Sequence, residues 1–283
     1  MLFFTQKGKC FWMRVYEIPE GSRTSKGRAI QNLINIEQDD KVKAFICTKD
    51  LKDEDYINQH YVIMATKKGQ VKKTSLEKYS RPRINGINAI TIREGDELLV
   101  AKLTNGESQI VMALKSGKAI RFEEAKTRPM GRSASGVRGI RLQHDKDEVI
   151  GMVSINDMES NILVVSANGY GKRSKLEDYR ITNRGGKGVK TISITDKTGD
   201  LVSIKNVNDS NGLMIINKSG IAIRMAVKDL RVMGRATQGV KLINIKKGDS
   251  IAAVAKVMHE EQEEDTIELE NNTPPAEEGN TEE

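Results

Sequence analysis

The chain has 283 residues, with 46 Lys and Arg against 39 Asp and Glu, and a formal net charge of +7 at pH 7. Its two cysteines, Cys10 and Cys47, form no CxxC pair, which argues against a zinc clip or a redox motif and suits a reducing compartment. No apolar run approaches the length of a membrane span, and the three apolar residues after Met1 do not make a signal peptide, so we expect a cytoplasmic protein.

The chain repeats a pattern of about fifty residues five times. In each unit a short apolar run ends in a two-residue turn with glycine second, which permits the positive φ that tight hairpins require. These turn glycines are Gly8, Gly69, Gly117, Gly169 and Gly220. Four residues after the glycine stands Trp12 in the first unit and a Lys or Arg in the other four. Each unit is therefore predicted to begin with a β-hairpin.

A second glycine divides each unit after a long loop. It is Gly27, Gly86, Gly136, Gly188 or Gly239, and an alternating apolar segment, an acidic turn and a last apolar segment follow it. Runs that are apolar throughout, such as 162–165 and 213–216, predict strands buried on both faces. Four strands repeated five times indicate an all-β, propeller-like array. No Gly-His…Trp-Asp signature is present, which argues against blades of the WD type. We expect blades at about 1–47, 60–104, 108–154, 160–206 and 211–257.

The long loops carry the most basic sequence of each unit. Three of them align without gaps, as "RPMGRSASG" from 128, "RITNRGGKG" from 180 and "RVMGRATQG" from 231. Arg132, Arg184 and Arg235 share one position in this alignment, which Arg23 holds in the first unit and Pro82 in the second. If the units lie around a ring, these arginines fall on one rim.

We predict that the loops and the first hairpins contact phosphate groups. Guanidinium and ammonium groups bind phosphate oxygens, and glycine-rich backbone such as Arg-Gly-Gly-Lys-Gly is flexible enough to follow them. The candidate contacts are Arg23, Lys67, Lys68, Lys72, Lys73, Arg81, Arg83, Lys115, Lys118, Arg121, Arg128, Arg132, Lys172, Arg173, Arg180, Arg184, Gly185, Gly186, Lys187, Lys218, Arg224, Arg231 and Arg235. The alternative interpretation is that the glycines form a bulge and that the charges are only solvated.

The charge of the chain is divided unevenly between this body and the C-terminal end. Residues 260–283 contain eleven acidic residues and no Lys or Arg, which leaves 46 basic and 28 acidic residues elsewhere, a formal charge of +18. A body this basic attracts polyanions, of which nucleic acid is the commonest large one. We expect a folded domain over 1–258 and a disordered acidic tail over 259–283, which either competes with DNA for the basic surface or only keeps the protein soluble.

These motifs together resemble the C-terminal domain of the DNA gyrase A protein. The similarity is carried by "YEIPEGSRTSKGRAIQNL", "ATKKGQVKKTSLEKYSRPRINGINAI", "RPMGRSASGVRGIRL", "NGYGKRSKLEDYR" and "RVMGRATQGVKLI", over about residues 1–257. It implies a six-bladed β-pinwheel whose blades exchange a strand and whose basic rim wraps duplex DNA. It also implies a bacterial, nucleoid-associated A2B2 topoisomerase, completed by the rest of the gyrase A protein and by the gyrase B protein.

Two departures from the family pattern limit what the resemblance implies. Five units are present instead of six, so we expect that the first blade and the cleavage core are missing, and that ATP and Mg are bound by other domains. The family's Gln-Arg-Arg-Gly-Gly-Lys-Gly box is matched only in its last five residues, at 184–188. Because the cleavage core is expected to be missing, we expect no catalysis and no cofactor in this chain. The alternatives are the topoisomerase IV domain, which wraps less, and a protein-interaction propeller.

Other chemistry is predicted to be absent. His60, His144 and His259 lack the spacing of metal ligands, so no metal site is expected. Tyr79 and Tyr179 recur at the ends of "SLEKY" and "KLEDY" and are predicted to pack inside the protein.

Overall fold

The computed structural model describes residues 1–22, 24–246 and 248–258. Arg23 and the predicted acidic tail lie outside the described residues. Within them the chain forms five antiparallel blades, which confirms the predicted all-β, propeller-like fold.

Nineteen strands follow the order of the five units. They are β1 (Leu2–Thr5), β2 (Lys9–Trp12), β3 (Val42–Ile46), β4 (Tyr61–Thr66), β5 (Gln70–Ser75), β6 (Ile87–Asn88), β7 (Leu98–Thr104), β8 (Gln109–Leu114), β9 (Lys118–Glu123), β10 (Val137–Arg138), β11 (Val149–Ile155), β12 (Asn161–Ser166), β13 (Tyr170–Lys175), β14 (Val189–Lys190), β15 (Leu201–Val207), β16 (Asn211–Asn217), β17 (Ala222–Ala226), β18 (Val240–Lys241) and β19 (Ile251–Met258). One α-helix, α1 (Glu54–Gln59), and five short 3-10 turns, Val15–Glu17, Ile30–Asn32, Leu76–Tyr79, Glu124–Lys126 and Leu176–Asp178, complete the described structure.

Each of the first four blades takes its outermost strand from the following unit. The sheet orders are β3-β1-β2-β6, β7-β4-β5-β10, β11-β8-β9-β14 and β15-β12-β13-β18. The exchanged strands are only two residues long, because the alternating segment after each second glycine pairs just at its start. The strand exchange expected from the family is therefore confirmed. The fifth sheet, β17-β16-β19, has three strands in the described chain.

The hydrophobic core lies between consecutive blades. In β12, Ile162 and Val164 pack toward the third blade, whereas Leu163 and Val165 pack toward the fifth. Successive side chains of a strand point to opposite faces, so a strand covered on both faces must be apolar throughout. Burying each such side chain contributes about 1.5–3 kcal/mol. The prediction is confirmed for 162–165 and holds only in part for 213–216, where Leu213 and Ile215 are buried but Met214 and Ile216 are half-buried. Tyr79 and Tyr179 are fully buried, in accord with the predicted packing role.

The junctions between blades repeat one set of contacts. The turn glycine of each of the first four blades lies against the carbonyl of an isoleucine in the next unit. The second glycine of that next unit lies in turn against the second hairpin strand of the preceding blade (β2, β5, β9 or β13). Apolar side chains of the turn after each hairpin, such as Leu76 and Leu176, are buried in the junction. At the two ends of the array the matching positions are open. Val15, which is equivalent to Leu76, is 65% exposed, and an added Cβ at Gly27 or Gly220 meets nothing within 4 Å.

Substitution of two equivalent glycines is expected to test this junction. Gly188 and Gly27 have φ values of 73° and 68°, so alanine is strained at both positions. An added Cβ at Gly188 would also lie 2.5 Å from the Ala119 carbonyl oxygen, whereas Gly27 faces open space. We expect Gly27→Ala to cost about 1 kcal/mol of unfolding free energy and Gly188→Ala about 3 kcal/mol, measured by urea denaturation. Equal losses would contradict the exchanged-strand packing at Gly188.

Candidate nucleic-acid interface

The long loops of the last four units lie side by side along the outer edges of the blades. In the last three of these units the loop crosses the second hairpin strand of the preceding blade (β5, β9 or β13). Isolated bridges at these crossings join Lys73 to Pro129, Arg121 to Ile181 and Arg173 to Val232. We call the loops 80–91, 128–141, 180–193 and 231–243 together the loop rim.

Backbone hydrogen bonds connect each loop of the rim to the next. They run from the amide nitrogens of Thr91, Arg141 and Ser193 to the carbonyl oxygens of Ala134, Gly186 and Thr237, at 3.2, 2.9 and 3.1 Å. Donors and acceptors hold equivalent positions in their units. The loops therefore form one continuous surface with a repeated geometry, which supports the predicted alignment of their arginines.

Two of the aligned arginines make the same contact. The Arg184 guanidinium donates to the Arg138 carbonyl oxygen at 3.2 Å, and the Arg235 guanidinium donates to the Lys190 carbonyl oxygen at 2.8 Å. Arg138 and Lys190 both end an exchanged strand. Arg132 is also half-buried, and none of the three arginines forms an ion pair with another described residue. The Arg184 and Arg235 guanidinium groups are therefore fixed at equivalent positions of their units. No described carboxylate pairs with any of the three arginines, so their positive charges remain available to a ligand.

The Arg-Gly-Gly-Lys-Gly loop is held by its neighbour. Gly185, with φ of 82°, donates its amide to the Gly139 carbonyl oxygen at 2.6 Å, and the Gly186 carbonyl accepts the Arg141 amide. The expectation that these glycines are free to follow a ligand is corrected, because their backbone is bonded to the preceding loop. Lys187 remains exposed beside a cavity of 220 Å³ that Arg180 also lines.

Most of the remaining predicted contacts are accessible. Those on the loop rim that are exposed are Arg81, Arg83, Arg128, Arg180, Lys187 and Arg231. Those on the hairpins that are exposed or half-buried are Lys67, Lys68, Lys115, Lys118, Lys218 and Arg224. Lys67 is paired with Glu97, and Lys115 lies 3.5 Å from the Asp200 carboxylate. The acidic turns therefore neutralise part of the hairpin charge.

Five predicted phosphate contacts are instead buried between blades. They are Lys72, Lys73, Arg121, Lys172 and Arg173, all less than 9% exposed. Their prediction as phosphate contacts is corrected, because each donates to groups of the following unit or of its own interior. Arg121 donates to the carbonyl oxygens of Leu176 and Tyr179 at 2.7 and 3.0 Å. Trp12 does the same in the first blade, with its Nε1 2.8 Å from the Tyr79 carbonyl oxygen.

Burial lowers the pKa values of two of these residues, Lys72 and Lys172. The Lys72 ammonium donates to the carbonyl oxygens of Ala89 and Arg132, both at 2.6 Å. Burial, and then the charge of Arg132, lowers the pKa of Lys72 to about 7. Burial likewise lowers the pKa of Lys172, whose ammonium reaches the Gly234 carbonyl oxygen, to about 8. The ammonium groups of both lysines thus bind carbonyl oxygens of the loop rim from its buried side.

The pKa of Lys72 predicts a pH-dependent stability. Between about pH 7 and the ordinary lysine value of 10.5, the unfolded chain holds a proton at Lys72 that the folded chain has released. Stability should therefore rise with pH across this window, by about 1–2 kcal/mol between pH 7 and 9.5. Lys72→Met should remove this increment, as measured by urea denaturation at both pH values. An unchanged pH dependence in the variant would contradict the buried, proton-releasing lysine.

Sequence reasoning missed a basic position on the rim. Arg138, Lys190 and Lys241 end the exchanged strands of the third, fourth and fifth units and are exposed. The signal was present, since each stands two residues after the second glycine of its unit. Two of them supply the carbonyls that hold Arg184 and Arg235, so they lie next to the aligned arginines.

The described residues contain no group of three or more His, Cys, Asp or Glu placed to hold a metal ion. No helix in the described part of the chain has the length and apolarity that crossing a membrane requires.

Comparison with known proteins identifies related domains. The family model described as DNA gyrase C-terminal domain, beta-propeller, matches residues 1–49, 60–105, 110–156, 160–208 and 213–258. The DNA gyrase A protein of Staphylococcus aureus is 43% identical over all 283 residues of this chain, which cover 31% of the relative. The chain thus spans about a third of the length of the curated relatives it matches.

Solved structures show the same fold at lower identity. The C-terminal domain of a DNA topoisomerase IV superimposes with a TM-score of 0.81 at 24% identity, covering 91% of this chain and 78% of that one. A DNA gyrase A C-terminal domain superimposes with a TM-score of 0.77 at 22% identity, covering 91% of this chain and 82% of that one.

Proposed function

The chain belongs to the DNA gyrase C-terminal domain family, and from this premise we propose that it binds duplex DNA along the loop rim and bends it around the blade array. Wrapping of this kind presents a second DNA segment to a cleavage core elsewhere in a type IIA topoisomerase, which then introduces negative supercoils. The partners are the remainder of the gyrase A protein and the gyrase B protein, in an A2B2 assembly in the bacterial cytoplasm at the nucleoid. ATP and Mg are bound by those other parts, and the chain itself is not catalytic.

One observation carries the proposal. Loop-to-loop hydrogen bonds place Arg132, Arg184 and Arg235 at equivalent positions on a continuous surface, and these arginines are not neutralised by any described carboxylate. A protein that binds only phosphate groups needs this periodic positive surface and no group that reads base edges. The buried Lys72 and Lys172 support the loops from below, so the surface is preorganised before DNA arrives.

The energetics favour many weak contacts over a few strong ones. Smooth bending of DNA costs about 1–6 kcal/mol for each 20–30 bp bent by 40–90°. Phosphate contacts repeated from unit to unit offset this cost a little at a time, and each one releases condensed counterions. The affinity should therefore fall steeply as salt concentration rises.

Fluorescence anisotropy with two duplexes of equal length and unrelated sequence tests DNA binding. We expect equal affinities for both duplexes and a loss of about 10³-fold or more between roughly 50 and 200 mM salt. Absence of binding at low salt would overturn the proposal and leave a protein-interaction propeller. A strong preference for one duplex would contradict recognition through phosphates alone.

A further inference from the structure

A large cavity lies at the centre of the blade array, away from the loop rim. Its volume is 920 Å³, and it is lined by the innermost strand of every blade, β3, β7, β11, β15 and β19. Cavities of this volume are typical of small-molecule sites. Its walls are mixed: Leu99, Val100 and Ile150 are among the apolar lining residues, and Ser154, Ser203 and Asn206 add polar groups.

The charge of this cavity has one sign. Four lysines line it, Lys43, Lys102, Lys205 and Lys256, and no Asp or Glu lines it among the described residues. Lys43 lies 3.7 Å from the Glu97 carboxylate. Among the described residues, no carboxylate lies within ion-pair distance of the other three lysines.

The three unpaired lysines repel one another. Burial, and then the charge of Lys256, lowers the pKa of Lys102, and burial followed by the charges of Lys102 and Lys256 lowers the pKa of Lys205. These lysines come from three different blades. Lys102 and Lys256 are exposed to the solvent of the cavity, and Lys205 is half-buried. A concave site with these three cations on its walls, and no carboxylate paired with them among the described residues, is the arrangement that an anion would complete.

We propose that the central cavity binds a linear polyphosphate anion through Lys102, Lys205 and Lys256. An ammonium group binds phosphate as a point charge, and a chain of phosphate groups carries anionic oxygens along its length that can serve three lysines contributed by three different blades. The hydroxyl groups of Ser154 and Ser203 and the amide of Asn206 supply neutral donors on the same walls. The cavity has the volume of a small-molecule site and is bounded by strands on the inner side of every blade, so its ligand is distinct from the duplex proposed for the loop rim.

Calorimetric titration of inorganic tripolyphosphate into the full chain at low ionic strength tests the proposal. The test variant is Lys102→Gln/Lys205→Gln/Lys256→Gln. The control, Lys41→Gln/Lys146→Gln/Lys246→Gln, removes the same charge from exposed lysines of three acidic turns. We expect the affinity of one site to fall at least tenfold in the test variant and to stay unchanged in the control. Equal losses in both variants, or none in either, would overturn the cavity as the site.

Two further arms identify the ligand chemistry. Orthophosphate should bind at least tenfold more weakly than tripolyphosphate, and equal affinities would contradict recognition of a phosphate chain. ATP that binds as tightly as tripolyphosphate indicates that the phosphate chain alone is recognised. ATP that binds more tightly indicates a nucleoside polyphosphate held partly by the apolar walls.

Thermal unfolding provides a second readout that does not need the triple variant. Lys205→Gln alone removes repulsion between cations, so the unliganded protein should melt no lower than the parent, while the rise in Tm on adding tripolyphosphate should shrink. A full tripolyphosphate-induced rise in Lys205→Gln would overturn the role of this lysine. DNA affinity should not change in this variant, so failure here is separable from failure of the loop rim.

Discussion

Simultaneous replacement of Arg132, Arg184 and Arg235 by alanine is expected to weaken duplex DNA binding about 100-fold or more. The three arginines hold equivalent positions in the loops of the rim, where the Arg184 and Arg235 guanidinium groups donate to the carbonyls that end the exchanged strands. Each lost phosphate contact should also reduce the slope of log affinity against log salt by about one. Because phosphate contacts carry no sequence information, the loss should be the same for unrelated duplexes.

The matched control for this experiment is Lys41→Ala/Lys146→Ala/Lys246→Ala. It removes the same net charge from acidic turns outside the loop rim and should change affinity only slightly. Circular dichroism melting of both variants checks that the loops remain folded, since Arg184 and Arg235 also bond to neighbouring backbone. A loss confined to one duplex sequence, or an equal loss in the control, would contradict a rim that reads the phosphate backbone.

Replacement of Arg121 by methionine is expected to destabilise the protein by about 3–5 kcal/mol. Arg121 is only 8% exposed, and its guanidinium donates to the Gln109 side chain as well as to the carbonyl oxygens of Leu176 and Tyr179. Methionine fills similar space but leaves those acceptors buried without a donor. Arg128, seven residues later on the loop rim, is exposed, so Arg128→Met should change stability by no more than about 0.5 kcal/mol.

The urea midpoints of the two variants show whether Arg121 stabilises the contact between blades or instead serves as a DNA contact. If Arg121 joins adjacent blades, Arg121→Met should lower the urea midpoint strongly. If Arg121 instead faced the phosphates, Arg121→Met should fold with parental stability and lose DNA affinity. The second result would overturn the burial of basic side chains between blades as anchors of the fold.

The repeat made most of the fold predictable. Hairpin glycines such as Gly117 and apolar runs such as 162–165 are local signals, and the structure places both as expected. The strand exchange is not local. Val137 and Arg138 pair with Val71 and Gln70 of the preceding unit, and nothing in either segment specifies which blade it joins. The family resemblance predicts this exchange, and the periodicity does not.

The candidate site was predictable in its loops and not in its strands. Charged residues of a loop face solvent almost regardless of the tertiary fold, so Arg128, Arg180 and Arg231 are exposed as expected. Basic residues in the second strand of a blade are different, because the following unit covers that strand. Lys72 and Arg173 are therefore buried by a neighbour about sixty residues away, which no pattern within one unit reveals.

Ligation of a nicked plasmid in the presence of the purified chain tests the wrapping claim most directly. If the loop rim bends duplex around the array, the closed plasmid should retain a change in linking number that grows with the ratio of protein to DNA. The Arg132/Arg184/Arg235 alanine variant should reduce that change in proportion to its lost affinity. Saturated binding with an unchanged linking number would contradict wrapping and favour the topoisomerase IV type of domain, which holds DNA segments without strongly bending them.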